Sequence, residues 1–178
     1  FLENNNYKYC IARNYENYPD EITGDIDILL QSKNVGNISE DLCKIALNNN
    51  WEVFFKYIKK KVAHLGFVNN SETERYVLVI ELFSEITWYG IPYLEIDNII
   101  NDRIKFKEFW KPSFSHELLI TSLHHLLYNN NIPEKYHKKL KELFNDVNKH
   151  KLNNDLNNIV GINLSKKFIK SFENTQIN

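Results

Sequence analysis

The chain has no methionine, two cysteines, four prolines, five glycines and a formal charge of -1 over its 178 residues. Each shortage excludes something. Two thiols as distant as Cys10 and Cys43 build neither a disulfide framework nor a thiolate metal cluster, so a reducing, cytoplasmic setting is expected. A pI of about 6.7 gives no sequence-wide electrostatic case for nucleic acid or an anionic membrane, so any polyanion must be met locally. No apolar run approaches the ~20 residues of a membrane span. The start Phe1-Leu2-Glu3-Asn4 lacks the charged and apolar regions of a signal peptide. The missing methionine, at position 1 included, leads us to expect a longer parent polypeptide.

What the chain does have is 43% hydrophobic and 13% aromatic residues, enough for a full core in one α/β domain with a helical extension. The 26 asparagines, clustered at 4–6, 48–50 and 129–131, suit loops and carry no functional signal of their own. Tyr7–Arg13 reads as a first strand and 25–31 as a second, joined by a polar connection, 14–23, that contains Pro19. Ser39 is placed to cap a helix running to Leu47 with Leu42, Ile45 and Ala46 inward. Alternation then predicts strands over Trp51–Lys60, Val62–Val68 and Arg75–Phe83, with a turn at Asn69-Asn70-Ser71. After Pro112 the period becomes helical: 115–128 with Leu119, Ser122, Leu123, Leu126 and Leu127 on one face, 136–147, and a third helix near 164–173. The expected fold is a small mixed sheet with helices on one face, residues 1–112, followed by a helical extension, residues 113–178, packed on it as one unit.

Two acids in Gly24-Asp25-Ile26-Asp27-Ile28-Leu29-Leu30 resist a purely structural explanation. Successive side chains of a strand point to opposite faces, so Asp25 and Asp27 share one side and repel. A cation between them relieves that repulsion, and Mg²⁺ is the ion usually held by one or two carboxylates plus substrate phosphates. Glu81, about fifty residues later, is a further acid inside an apolar strand, with Val77, Val79 and Phe83 on its face. Three such acids are the simplest protein device for holding two divalent ions near 4 Å apart for phosphoryl transfer. The competing structural reading pairs Asp25 and Asp27 with Lys33 or Arg13, and Glu81 with Arg75 or a strand lysine.

Three stretches resemble the polymerase-beta-like nucleotidyltransferase superfamily, in its bacterial branch associated with polysaccharide biosynthesis. They are Ile11-Ala-Arg-Asn-Tyr-Glu-Asn-Tyr-Pro19, the paired-aspartate strand Gly24–Leu30, and Val79–Leu94 with its third acid and tryptophan-x-glycine turn. The resemblance implies Asp25, Asp27 and Glu81 as catalytic and metal-binding residues, Mg²⁺ or Mn²⁺ as cofactor, and Arg13, Asn14 and Gly24 at the nucleotide phosphates. The chain departs from the pattern in two places. Arg13-Asn14 stands where most members carry glycine-serine, and Glu81 stands where aspartate is usual.

Other candidates read as structure. Trp88 and Tyr89 are expected to pack at a strand end rather than stack a base or sugar, His124-His125 to sit at a core edge or in solvent without a third ligand, and Lys59-Lys60-Lys61 to form a solvated strand end that could attract a phosphorylated acceptor. Ser39, Ser84 and Cys43 lack a base at a motif spacing and have no nucleophilic role. The function expected is therefore transfer of a nucleoside monophosphate from an NTP to a hydroxyl or phosphate acceptor, small-molecule or glycan, with nucleic acid disfavoured by net charge. The alternative is a non-catalytic nucleotide-binding or scaffolding domain of a larger glycan-assembly protein. A toxin-type minimal transferase acting on protein or tRNA is the third. Asp25→Asn or Asp27→Asn is expected to abolish turnover while changing stability little or raising it.

Overall fold

The computed structural model describes residues 1–31, 34–70 and 74–174. In chain order the first elements are β1 (Tyr9–Ile11), β2 (Ile26–Leu30), α1 (Val35–Asn48), β3 (Glu52–Ile58), β4 (Val62–Asn70) and β5 (Arg75–Phe83). The strands form one five-stranded sheet in the order β1-β2-β5-β4-β3. β2 runs parallel to β5, and the other pairs are antiparallel. The rest are β6 (Ile86–Trp88), β7 (Ile91–Leu94), α2 (Ile96–Asn101), β8 (Ile104–Phe106), β9 (Phe109–Lys111), α3 (Phe114–Asn129), α4 (Glu134–Asp146), α5 (Lys149–Val160) and α6 (Ile162–Glu173). The class is the α/β mixed sheet that alternation predicts. No described helix is long and apolar enough to cross a membrane.

Contacts divide the chain into two compact units, Phe1–Ile86 with Glu95–Lys111, and Thr87–Leu94 with Pro112–Asn178. Thr87–Leu94, assigned by sequence to the α/β core, belongs with the helices. In the first unit the period-two pattern sorts side chains cleanly. Ile28 and Leu30 of β2, Leu82 of β5, and Ala63, Leu65 and Phe67 of β4 are buried in one cluster with Val35, Ile38 and Cys43 of α1. Burying a side chain of this size contributes about 1.5–3 kcal/mol, so this face holds the sheet together. The opposite parity carries Asp27, Glu81 and His64.

Helix α1 begins five residues earlier than a cap at Ser39 would set it. Its N-cap is Asn34, and Ser39 lies inside the helix, fully buried, its hydroxyl donating to the Val35 carbonyl at 2.7 Å. A hydroxyl satisfied by the preceding turn has no need of a cap role. Of the turn predicted at 69–71, Ser71 lies outside the described residues. Burial pushes the Cys10 thiol up to about 12, so it is inert at neutral pH.

In the second unit Ser113 caps α3, accepting from the His116 amide. The stripe predicted for this helix is instead burial on every side, since each residue from Ser115 to Leu123 is buried. Glu117, in the first turn of α3 where an acid suits the helix dipole, is 1% exposed and sits 2.7 Å from the Lys139 ammonium of α4. The third predicted helix is present as α6, preceded by the unpredicted α5, and Phe144 and Phe172 stack at 5.1 Å. Tyr89 and Gly90, both at positive φ, turn β6 into β7. Tyr89 is 88% exposed, so it does not pack as the sequence suggested, whereas Trp88 is half-buried.

Leu82 occupies the centre of the apolar face with no exposed surface. Leu82→Ala is expected to lower unfolding free energy by about 2–5 kcal/mol, read from a urea transition.

Candidate active site

The parallel pairing of β2 with β5 sets Ile26 against Ile80, Asp27 against Glu81 and Ile28 against Leu82. Two acids are thereby held on one face of adjacent strands, roughly 4.8 Å apart in backbone spacing. The antiparallel neighbours extend the same row. His64 of β4 lies opposite Glu81, and Tyr57 of β3 lies opposite His64. At the other end the Ala12 amide donates to the Asp27 carbonyl at 2.8 Å, so the next residue, Arg13, reaches the Asp27 side chain.

Across the sheet the row reads Tyr57, His64, Glu81, Asp27, Arg13. Arg13 Nε donates to Asp27 Oδ2 at 2.8 Å, and His64 Nδ1 lies 2.6 Å from Glu81 Oε1. Ionised Glu81 can only accept, so Nδ1 carries the hydrogen in that state. The rings of Tyr57 and His64 are 5.7 Å apart. Each acid of the central pair is thus answered by a basic partner on its outer side. The structural pairing considered for Asp27 with Arg13 is present, Lys33 lies outside the described residues, and Glu81 meets neither Arg75 nor a lysine but a histidine.

Asp27 is 8% exposed, whereas Asp25, just before the strand, is exposed. The pair expected to behave alike therefore differs. Burial raises the Glu81 carboxyl above its ordinary range; the His64 hydrogen bond pulls it back, and the charges of Asp27 and Asp25 push it further up. The same two aspartates, Asp27 before Asp25, help burial raise the Tyr18 phenol, so all three acids share one electrostatic neighbourhood.

The connection between Arg13 and Gly24 is pinned by aromatic packing. Tyr15 lies 5.3 Å from Phe106 and 5.8 Å from Phe109, and Tyr18 lies 6.3 Å from Phe109. Lys107 Nζ donates to the Tyr18 carbonyl at 2.6 Å. Asn14 is exposed and takes φ 58, a conformation asparagine tolerates. At Gly24 a methyl group would meet nothing within 4 Å and φ is not left-handed, so the fold does not demand glycine there.

Three acids in one neighbourhood invite a divalent ion, but the donor set in this arrangement does not fit one. Among the described residues no group of three or more His, Cys, Asp and Glu side chains is placed to hold a metal ion. Asp27 and Glu81 each give an oxygen to a protein donor instead. His64 is the site residue that sequence reasoning missed. Alternation along Val62–Val68 puts it opposite Ala63, Leu65 and Phe67, but only the β4/β5 register brings it to Glu81.

No protein-family model matches the chain, and no curated protein matches it. Among solved structures the chain is similar to "Crystal structure of putative nucleotidyltransferase from H. pylori", at 13% identity and TM-score 0.37, over 95% of this chain and 81% of that one. A superposition so loose leaves the chemistry to be argued from the residues themselves.

The Arg13–Asp27 pair is mostly shielded from water, with side chains 18% and 11% exposed. Arg13→Gln and Asp27→Asn are each expected to cost about 1.5–3 kcal/mol in urea unfolding, with the double variant less costly than their sum. Asp25→Asn is expected to be near neutral. A raised carboxyl pKa stabilises the fold below the unfolded value and loses that contribution as pH rises through the folded one. Glu81→Gln keeps an oxygen for His64, so its Tm should exceed wild type at neutral pH. The difference should vanish as pH falls to about 4.

Proposed function

We propose that this chain is a nucleotidyltransferase-type domain that binds an NTP against the face carrying Asp25, Asp27 and Glu81 and passes its nucleoside monophosphate to a hydroxyl or phosphate acceptor. One observation carries the reading: the β2/β5 register brings acids from distant parts of the sequence side by side on one face. Buried structural acids are rarely clustered with like charge, because each raises the cost of ionising the next. Carboxylates with raised pKa values beside a basic group are typical of sites that move protons.

The chain's own residues supply definite roles. The Arg13 guanidinium carries five donors in a planar fork suited to phosphate, of which Nε is the one given to Asp27. Glu81, its carboxyl raised, accepts the proton of the attacking hydroxyl, and His64 holds the carboxylate in place. Asp25 stands exposed at the entrance of the strand. Asn14 and Gly24 complete the nucleotide side in this proposal. Mg²⁺ or Mn²⁺ is the cofactor that the family resemblance implies. The arrangement here does not cradle it, so no step is routed through it. A cell-surface glycan or its precursor is the acceptor implied by the same resemblance.

A second reading, a non-catalytic nucleotide-binding domain of a larger assembly, is favoured by the two protein partners that already answer Asp27 and Glu81. Thermal shift with each of the four NTPs, in Mg²⁺, Mn²⁺ or chelator, combined with pyrophosphate release, separates the two. Saturation to about 100 times Kd adds about 2.7 kcal/mol of stability. A shift with pyrophosphate release that Asp25→Asn lowers ~100-fold or more supports transfer. A shift without release supports the binding domain, and no shift with any NTP removes both.

A further inference from the structure

The row that begins at Arg13 ends at Tyr57, and beyond it the same sheet face becomes aromatic and basic. β3 is an edge strand. Its register against β4 shifts between Val53 and Phe55, which is the signature of a bulge. Bulges put two residues opposite one and re-aim their side chains. Here Phe55 pairs with Gly66, and the Phe54 ring lies directly over that glycine, where an added Cβ would come within 2.7 Å of it. Gly66 and His64 are two apart on β4 and share a face, so Phe54, Tyr57 and His64 lie on one side of the sheet. Phe54 is 57% exposed, Phe55 48% and Tyr57 39%.

Large aromatic rings this open on a strand carry a cost in water that ordinary core packing does not repay. The hairpin that follows is cationic. Lys59, Lys60 and Lys61 are all exposed; Lys59 Nζ lies 5.2 Å over the Tyr57 ring, and Lys61 pairs with Glu85 at 2.7 Å. Phe55 and Tyr57 sit two residues apart, about 6.8 Å along the strand. That distance is about twice the 3.4 Å stacked rise of a nucleic-acid strand, the gap into which one ring fits between bases.

We propose that Phe54, Phe55 and Tyr57 form a stacking platform for single-stranded nucleic acid, with Lys59 and Lys60 meeting its phosphates. The platform lies across His64 from the acids and does not depend on nucleotidyl transfer. Flat rings on a sheet face recognise unpaired bases because every base offers a π-face, and adjacent lysines track the backbone. The overall charge of -1 does not oppose this, because Lys59 and Lys60 stand exposed beside the rings while Glu81 and Asp27 lie across His64 from them. A strand rather than a duplex is selected, since paired bases hide their faces.

Fluorescence anisotropy with labelled single strands of about 12 nucleotides, RNA and DNA, tests the proposal on the full chain. Binding is expected to fall steeply with salt. Phe55→Leu with Tyr57→Leu, which keeps apolar volume, should weaken binding about 10-fold or more, while Tyr57→Phe retains it. Lys59→Gln with Lys60→Gln should lower the slope of log affinity against log salt by about 0.7 for each phosphate no longer neutralised. Lys44→Gln on α1, paired with Asp41 in the wild type, is the control and should bind as wild type. Far-ultraviolet circular dichroism of each variant confirms folding. Duplex binding equal to single-strand binding, a mononucleotide binding as tightly as the oligomer, affinity indifferent to the leucine pair, or self-association through β3 without oligonucleotide binding would each overturn it.

Discussion

Two carboxylates fixed on neighbouring strands of a parallel pair cannot move apart, because each backbone is tied into the ladder on both sides. Asp27 and Glu81 are in that position. Their mutual repulsion has to be answered from outside the pair, and the sheet does so laterally, with Arg13 beyond Asp27 and His64 beyond Glu81. The rest of the first unit can be understood as the support of that row. The sequence 14–23 must leave Arg13 at the sheet and return to Gly24, two residues before β2, and its tyrosines anchor that excursion on Phe106 and Phe109.

The opposite face bears the stability. Ile28, Leu30, Leu65 and Leu82 pack against α1 with little or no exposure, so polar chemistry on the other side is not asked to hold the fold together. This separation lets Asp27 be tied to a cation and Asp25 stand in solvent within the same short segment. It also explains why the two aspartates, equivalent when read as an alternating pair, are expected to respond differently to substitution. Burial, not spacing, distinguishes them.

The helical unit solves a different problem. The first half of α3, Ser115 to Leu123, is buried at every residue, so polar residues that a one-sided stripe would have left in water, such as Glu117, are enclosed. Lys139 of α4 supplies the opposite charge there. Burying such a pair is tolerable only with close geometry, and its presence makes α3 and α4 dependent on each other.

Local pattern by itself determined the strands β3, β4 and β5, the helix that became α1, the α/β class, and the parity that puts Asp27 and Glu81 on the face opposite Ile28 and Leu82. Those features follow from nearest-neighbour stereochemistry, with periods of 2 and 3.6 visible in any window. Sequence also singled out Asp25, Asp27 and Glu81, since an acid in an apolar strand is conspicuous wherever it pairs. Only the tertiary structure decided that His64 meets Glu81, that Arg13 takes Asp27, and that Tyr57 continues the row. Those contacts depend on strand order and register, and both are set by long-range packing of the whole sheet rather than by the residues that end up touching.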